Sequence, residues 1–253
     1  MPPHVKATLL EGTIAARAAI EGGQREVHRV WFDRERDTHD LTHLKKLCKM
    51  RGIRYSPTGR ATLDEIAKGK THGGLLCEVG ERRFVGMGDL LPGGDATEGA
   101  AAPFVVMLDG IEDPFNFGQS VRALYAAGVH GVLIRPRNWT TAAAVVARAS
   151  AGATERVPMA IADDPDQAAD FFEPHGFRVV ATGQSDDAVN VHDAELTGPL
   201  LLLIGGERRG LKRAFLQRAK QVVTIPYARE FRPALGTVAA TAVLAFEAAR
   251  QRR

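Results

Sequence analysis

Leu200-Leu201-Leu202-Leu203-Ile204-Gly205-Gly206-Glu207-Arg208-Arg209-Gly210 is an apolar run that empties into a glycine-rich turn. The run does not alternate, so a strand formed from it is apolar on both faces, and both faces must be covered. That is the mark of a parallel sheet flanked by helices. A second such run, Phe104-Val105-Val106-Met107-Leu108, also ends in a polar turn, Asp109-Gly110-Ile111-Glu112-Asp113-Pro114. Two buried-type strands followed by polar turns predict an open α/β sheet, whose ligands bind beyond the carboxyl ends of the strands.

Outward from these strands the same alternation continues. The pattern predicts a helix over 116–127, a strand over 131–134, helices over 141–150 and 165–172, and a strand over 178–181. A helix over 211–219, a strand over 222–225 and a long alanine-rich helix over 237–250 complete the second part. The first part reads as an amphipathic helix over 7–20, a strand over 26–32, a helix over 40–50, an extended 53–55, a helix over 62–67 and an apolar strand over 74–79. This is a small α/β layer domain. Residues 88–102 are rich in glycine and acid and lack periodicity. They divide a domain at 1–87 from one at 103–253.

Composition sets outer bounds. Hydrophobic content of 45% with 25% charged residues is that of a globular chain, and no apolar run approaches the roughly 18–20 residues needed to cross a bilayer. The first residues lack the apolar core and small-residue cleavage site of a signal peptide. The two cysteines, Cys48 and Cys77, have no paired ligand spacing, which argues against a disulfide framework or a zinc site and fits a cytoplasmic protein. The net charge of +3 says little, but its distribution says more. Eight basic residues lie between Lys45 and Lys70 (including Lys45, Lys46, Lys49, Arg51 and Lys68) against the acidic Asp64 and Glu65. Such a cluster can neutralise phosphates and release counterions; a merely solvated basic helix and loop is the plainer alternative.

Three turns gather chemistry-bearing residues. Asn116 stands at a helix start, where it could cap the first N–H groups. Arg122 follows roughly 600° further round the helix, so the two side chains do not stack but can flank one pocket. Its planar fork suits phosphate oxygens; a surface ion pair is the alternative. Residues 205–210 match neither the G-x-G-x-x-G dinucleotide loop nor a Lys-Ser/Thr phosphate loop, and Glu207 would repel a pyrophosphate. The glycines there let backbone approach a neutral or cationic ligand, or simply form a strand-to-helix turn. The third turn is Ile225-Pro226, leading to Ala234-Leu235-Gly236.

Together these segments resemble the SpoU/TrmH family of RNA ribose methyltransferases. Asp113, Pro114, Asn116, Gly118 and Arg122 match D-P-x-N-x-G-x-x-x-R; Gly205, Glu207 and Gly210 match G-x-E-x-x-G. Ile225-Pro226 and Arg148-Ala149-Ser150-Ala151-Gly152-Ala153 match two further signatures, and the matched order covers 104 to the C terminus. Residues 6–79 are similar to the small ribosomal-protein-like domain that many members carry in front, with His72-Gly73-Gly74 where they commonly read H-Q-G.

The resemblance implies a trefoil-knotted parallel sheet behind a small α/β RNA-binding domain, a homodimer, and S-adenosyl-L-methionine as methyl donor with no metal. Thr182, Gly205, Ile225 and Leu235 are then expected to line the donor pocket. Asn116 and Arg122 face the ribose and its phosphate, and Glu207 braces them. Ribosomal RNA is favoured as partner because the front domain resembles those of ribosomal RNA enzymes. The third family motif, S-L-N-V-S, is altered: its Ser and Asn are Ala234 and Gly236, and Thr237 offers one hydroxyl in their place. A non-catalytic RNA-binding protein and a base methyltransferase on the same scaffold are the rival readings; an oxidoreductase is disfavoured by the missing glycine fingerprint.

Overall fold

The computed structural model describes residues 7–67, 70–92, 102–136, 142–185 and 187–253. Lys6, Lys68, Thr141 and residues 93–101 of the expected linker lie outside them. The first elements are β1 (Thr8–Glu11), α1 (Thr13–Gly22), β2 (Arg25–Asp33), α2 (His39–Met50), β3 (Tyr55–Thr58), α3 (Arg60–Ala67) and β4 (Leu75–Arg82). Then come β5 (Phe104–Asp109), α4 (Pro114–Ala126), β6 (Gly131–Ile134), α5 (Ala143–Ala149), β7 (Met159–Ile161), α6 (Pro165–Phe172) and β8 (Arg178–Thr182). The chain closes with β9 (Val189–Asn190), β10 (Leu200–Gly205), α7 (Arg213–Arg218), β11 (Val222–Thr224) and α8 (Thr237–Gln251).

Two compact units result, Met1–Arg83 with Asn138–Arg156, and Phe84–Arg137 with Val157–Arg253. The division is discontinuous: the described residues 142–156 cluster with the first unit.

The first unit is a four-stranded sheet in the order β1-β4-β2-β3, antiparallel except for the β2–β3 pair. The single helix expected over 7–20 is corrected to β1 followed by α1. Gly12, at φ +85°, breaks the run, and Thr8–Glu11 then pair with β4. The α2 helix is capped by Thr38, whose hydroxyl accepts from Leu41 N at 3.3 Å, and it buries Leu41, Leu44 and Cys48 on one stripe. These meet Val30, Phe32, Leu75 and Cys77 in the core, joined by Ala147 of α5. Cys48 and Cys77 are both free and buried, and burial pushes the Cys48 thiol up to about 11.

The Arg148–Ala153 signature is held inside this unit. Ser150 Oγ contacts Thr154 Oγ1 at 2.9 Å, Arg25 Nε reaches the buried Glu155 at 2.8 Å, and the Arg82 guanidinium donates to the Thr154 carbonyl. Gly152 lies at φ +79°, and a Cβ there would fall 2.5 Å from that of Ala18.

The second unit is a seven-stranded sheet in the order β7-β6-β5-β10-β8-β11-β9, parallel at every pairing. The two apolar runs are central neighbours in register, from Leu200 opposite Phe104 to Gly205 opposite Asp109. From β5 the chain builds β6 and β7 on one side, then crosses to build the other. The carboxyl ends of β5 and β10 therefore flank the switch point where a ligand crevice is expected. Short strands β7 and β9, three and two residues long, extend the sheet beyond the strands read from sequence. Residues 87–90, spanning the start of the expected linker, form a 3₁₀ turn, and Leu90 is buried against Gly131.

Candidate active site

The loops after β5 and β10 meet backbone to backbone. A Cβ on Gly206 would lie 2.1 Å from the Gly110 carbonyl oxygen, and one on Gly205 would lie 2.4 Å from Gly210 C and Leu211 N. Gly205 and Gly206 are therefore required by chain against chain, while Gly210 is favoured by its backbone at φ +59°. Gly205, Gly206 and Gly210 also line the cleft beside this junction.

Their packing sets Glu207 against the start of α4. One carboxylate oxygen accepts from Asn116 Nδ2 at 2.9 Å, and the other from Glu112 N at 3.3 Å. Asn116 is not the helix cap expected from sequence. Asp113 is: its Oδ1 accepts from Asn116 N at 2.7 Å, and Pro114 occupies the first turn. Freed from capping, the Asn116 amide is fixed by Glu207, and its side-chain oxygen remains available as an acceptor.

Beside this junction lies a cleft of about 540 Å³, formed at the carboxyl ends of β8, β10 and β11 and the first turn of α8. Thr182, Gly205, Ile225 and Leu235 all line it, as does Glu207. Ala234, Gly236 and Thr237, the altered third motif, line it too. Arg122 is not among the lining residues. It lies exposed on α4 and forms no ion pair with any described residue.

Two features escaped the sequence reading. Tyr227 lines the cleft, and its hydroxyl accepts from Leu235 N at 2.8 Å, closing the chain between them into a loop. A tyrosine in an aperiodic segment gives no signal for a partner eight residues on. Asp109, at the end of β5, is buried, with Arg135 Nη1 3.5 Å from its Oδ1. Burial raises its carboxyl above the ordinary range, the Arg135 charge opposing.

The cleft suits a ligand of nucleoside size. Apolar Ile225 and Leu235 face it, its glycine turn offers no phosphate cradle, and the Glu207 carboxylate on its rim is compatible with a cation. S-adenosylmethionine, an adenosine carrying a sulfonium and no phosphate, has that chemistry. Among the described residues no group of three or more His, Cys, Asp or Glu could hold a metal ion, and no helix is long and apolar enough to cross a membrane.

In the first unit, Lys46 and Lys49 are exposed on α2, while Lys45 is half-buried with its Nζ 5.7 Å from the Phe32 ring centroid. The Arg51 guanidinium donates to the Ile20 carbonyl near the end of α1, so this charge also has a structural contact.

Comparison with known proteins agrees with these features. The SpoU rRNA Methylase family matches residues 103–246, and the family described as RNA 2'-O ribose methyltransferase substrate binding matches residues 9–85. A Shewanella oneidensis protein named 23S rRNA (guanosine-2'-O-)-methyltransferase RlmB is 29% identical over 98% of this chain and 99% of its own. An uncharacterized tRNA/rRNA methyltransferase of Mycolicibacterium vanbaalenii is 36% identical over 84% of this chain and 67% of its own length. The fold is that of the SpoU methyltransferase AviRb from Streptomyces viridochromogenes, solved with AdoMet. Its TM-score is 0.76 at 23% identity, covering 98% of this chain and 91% of that one. The chain belongs to the SpoU rRNA methylase family.

Proposed function

We infer that this protein transfers a methyl group from S-adenosylmethionine to a ribose 2′-hydroxyl of ribosomal RNA. The observation that carries the reading is the cleft. Thr182, Gly205, Ile225 and Leu235 converge on it from separate segments, and Glu207 ties its rim to Asn116. The relative named as a 23S rRNA guanosine-2′-O-methyltransferase aligns over almost the whole chain and supports ribosomal RNA as substrate.

The donor supplies an electrophilic methyl carbon when bound; the protein's task is alignment and charge. Thr182, Gly205, Ile225 and Leu235 bind and orient the donor. Asn116, held by Glu207, fixes the ribose. The Arg122 fork grips a substrate phosphate and acts as an electrostatic stabiliser, not as the base. A substrate phosphate oxygen takes the hydroxyl proton. Holding the attacking oxygen in line converts a bimolecular step into a nearly unimolecular one.

Ala234 and Gly236 remove two polar side chains from the cleft relative to the family pattern, and the Thr237 hydroxyl is the one left at the start of α8. Loss of one preorganised donor costs about 10²–10³ in rate, which weakens turnover without abolishing it.

Lys45, Lys46, Lys49 and Arg51 serve RNA binding in this reading, with Lys46 and Lys49 the most accessible. A knotted chain, a cytoplasmic site of action and a homodimer complete it. Val243 and Phe246 on α8 and Tyr125 on α4 are exposed and apolar, which supports a second copy as their cover.

Calorimetric titration with S-adenosylmethionine tests the donor site. The expected result is saturable binding unchanged by a chelator. No heat of binding, or binding abolished by the chelator, would remove the reading.

A further inference from the structure

The loop that leads into α8 carries an exposed aromatic ring. Phe231 is 57% exposed, in the sequence Tyr227-Ala228-Arg229-Glu230-Phe231-Arg232. A single exposed phenylalanine is ordinary. This one differs in what holds it and what surrounds it.

Its ring lies 6.1 Å from that of Tyr227, and the Tyr227 hydroxyl ties down the far end of the loop at Leu235. The ring is therefore carried on a closed, anchored loop whose two anchor residues both line the donor cleft. Arg229 and Arg232 flank it, both exposed and neither ion-paired with a described residue. Arg209, also exposed, lines the same cleft. Glu230 is the one acidic residue in the segment, leaving it net positive.

We propose that Phe231 is a stacking platform for an unpaired RNA base next to the methylated nucleotide, with Arg229 and Arg232 holding the phosphates on either side. The proposal rests on the RNA-methylation reading and adds a positioning element to it. An aromatic face between guanidinium groups is the chemistry that recognises single-stranded RNA. Every base offers a π-face to the ring, and its phosphates offer charge to the arginines. A methyl acceptor in a splayed-out nucleotide leaves its neighbour unstacked, and a ring packed beside the cleft-lining Tyr227, though not itself lining the cleft, can restore that stack. A protein partner would take the ring as readily, but two unpaired arginines beside it favour a polyanion. A second copy of this chain is the competing cover.

The test compares wild type with Phe231→Ala, Phe231→Trp and the double variant Arg229→Ala/Arg232→Ala, all full length. Each is assayed with an unmodified transcript of large-subunit ribosomal RNA for filter binding and methyl transfer, with donor calorimetry and sedimentation alongside. The expected result for Phe231→Ala is an RNA KM and Kd raised about 5- to 100-fold. Donor affinity, kcat and sedimentation should stay as in wild type, and Phe231→Trp should restore RNA affinity. The double variant should show a shallower dependence of RNA binding on salt.

RNA affinity unchanged in Phe231→Ala overturns the proposal. So does a smaller sedimenting species, which assigns the ring to an interface between copies, or a parallel fall in donor affinity, which makes the loop only a wall of the donor cleft. If wild type binds the transcript but transfers no methyl group, the functional reading fails. The binding arm still decides the role of Phe231.

Discussion

Replacing Gly206 with alanine tests whether the two loops at the switch point must touch. The new Cβ would stand 2.1 Å from Gly110 O, 2.3 Å from Gly110 C and 2.8 Å from Ile111 N. Comfortable contacts between carbon atoms lie near 3.5–4.0 Å, so the loops must separate by more than about 1 Å. Every atom met is backbone, and no side chain can swing aside. Overpacking of this kind costs about 1–3 kcal/mol. At ~2–4 °C per kcal/mol for a chain of this size, Tm should fall by roughly 2–12 °C.

The same separation moves Glu207, the next residue, away from Asn116 and Glu112, so donor affinity and turnover should fall with stability. Thermal melts with and without S-adenosylmethionine, and calorimetry, give the readouts. Gly88→Ala is the control, because its Cβ would meet nothing within 4 Å. A Gly206→Ala protein that melts, binds donor and turns over as wild type does would refute the argument that chain packing requires this glycine.

Other outcomes follow from the same geometry. Tyr227→Phe removes the acceptor of the Leu235 N–H and should weaken donor binding about 2- to 12-fold, the equivalent of one hydrogen bond of about 0.5–1.5 kcal/mol; unchanged calorimetry would remove that bond from the site's support. Lys46→Ala/Lys49→Ala should lower the slope of log affinity for RNA against log salt by about one to two, and an unchanged slope means both lysines are only solvated.

Hydrogen bonds from Arg250, Gln251 and His192 hold the Glu247 carboxyl down at about 2, below its ordinary 4.5. A depressed carboxyl contributes stability that is present above about 4.5 and is lost as pH falls towards about 2. Glu247→Gln should therefore flatten the decline of Tm over that interval; an unaltered acid limb would show that Glu247 does not contribute there.

The legibility of the sequence varied with the length and kind of each signal. Leu200–Gly205 and Phe104–Asp109 were readable because a buried parallel strand is apolar at every position, a pattern that needs no knowledge of its neighbours. Strand β1 was hidden because Thr8-Leu9-Leu10-Glu11 continues the apolar spacing of the helix after it; only Gly12 marks the break. Strands β7 and β9 are too short for any period to register.

At the site, motif spacing singled out Asn116, Glu207 and the four residues that meet in the cleft. The division of labour between Asp113 as cap and Asn116 as partner of Glu207 depends on a contact between residues 91 positions apart. Tyr227 and Phe231 were invisible for a related reason. Their meaning lies in a loop closed by one tertiary hydrogen bond and in its placement at a cleft, neither of which local composition encodes.

The most direct test of the account is the chemical position of the transferred methyl group. Unmodified large-subunit ribosomal RNA is incubated with methyl-labelled S-adenosylmethionine and wild-type or Arg122→Ala protein, then hydrolysed with alkali. A 2′-O-methyl blocks cleavage at its own phosphodiester, so the account requires label in one alkali-resistant dinucleotide, with transfer slowed about 10²–10³-fold in Arg122→Ala and donor affinity unchanged. Label in free mononucleotides would place the methyl group on a base, and equal transfer by the two proteins would contradict the role given to Arg122.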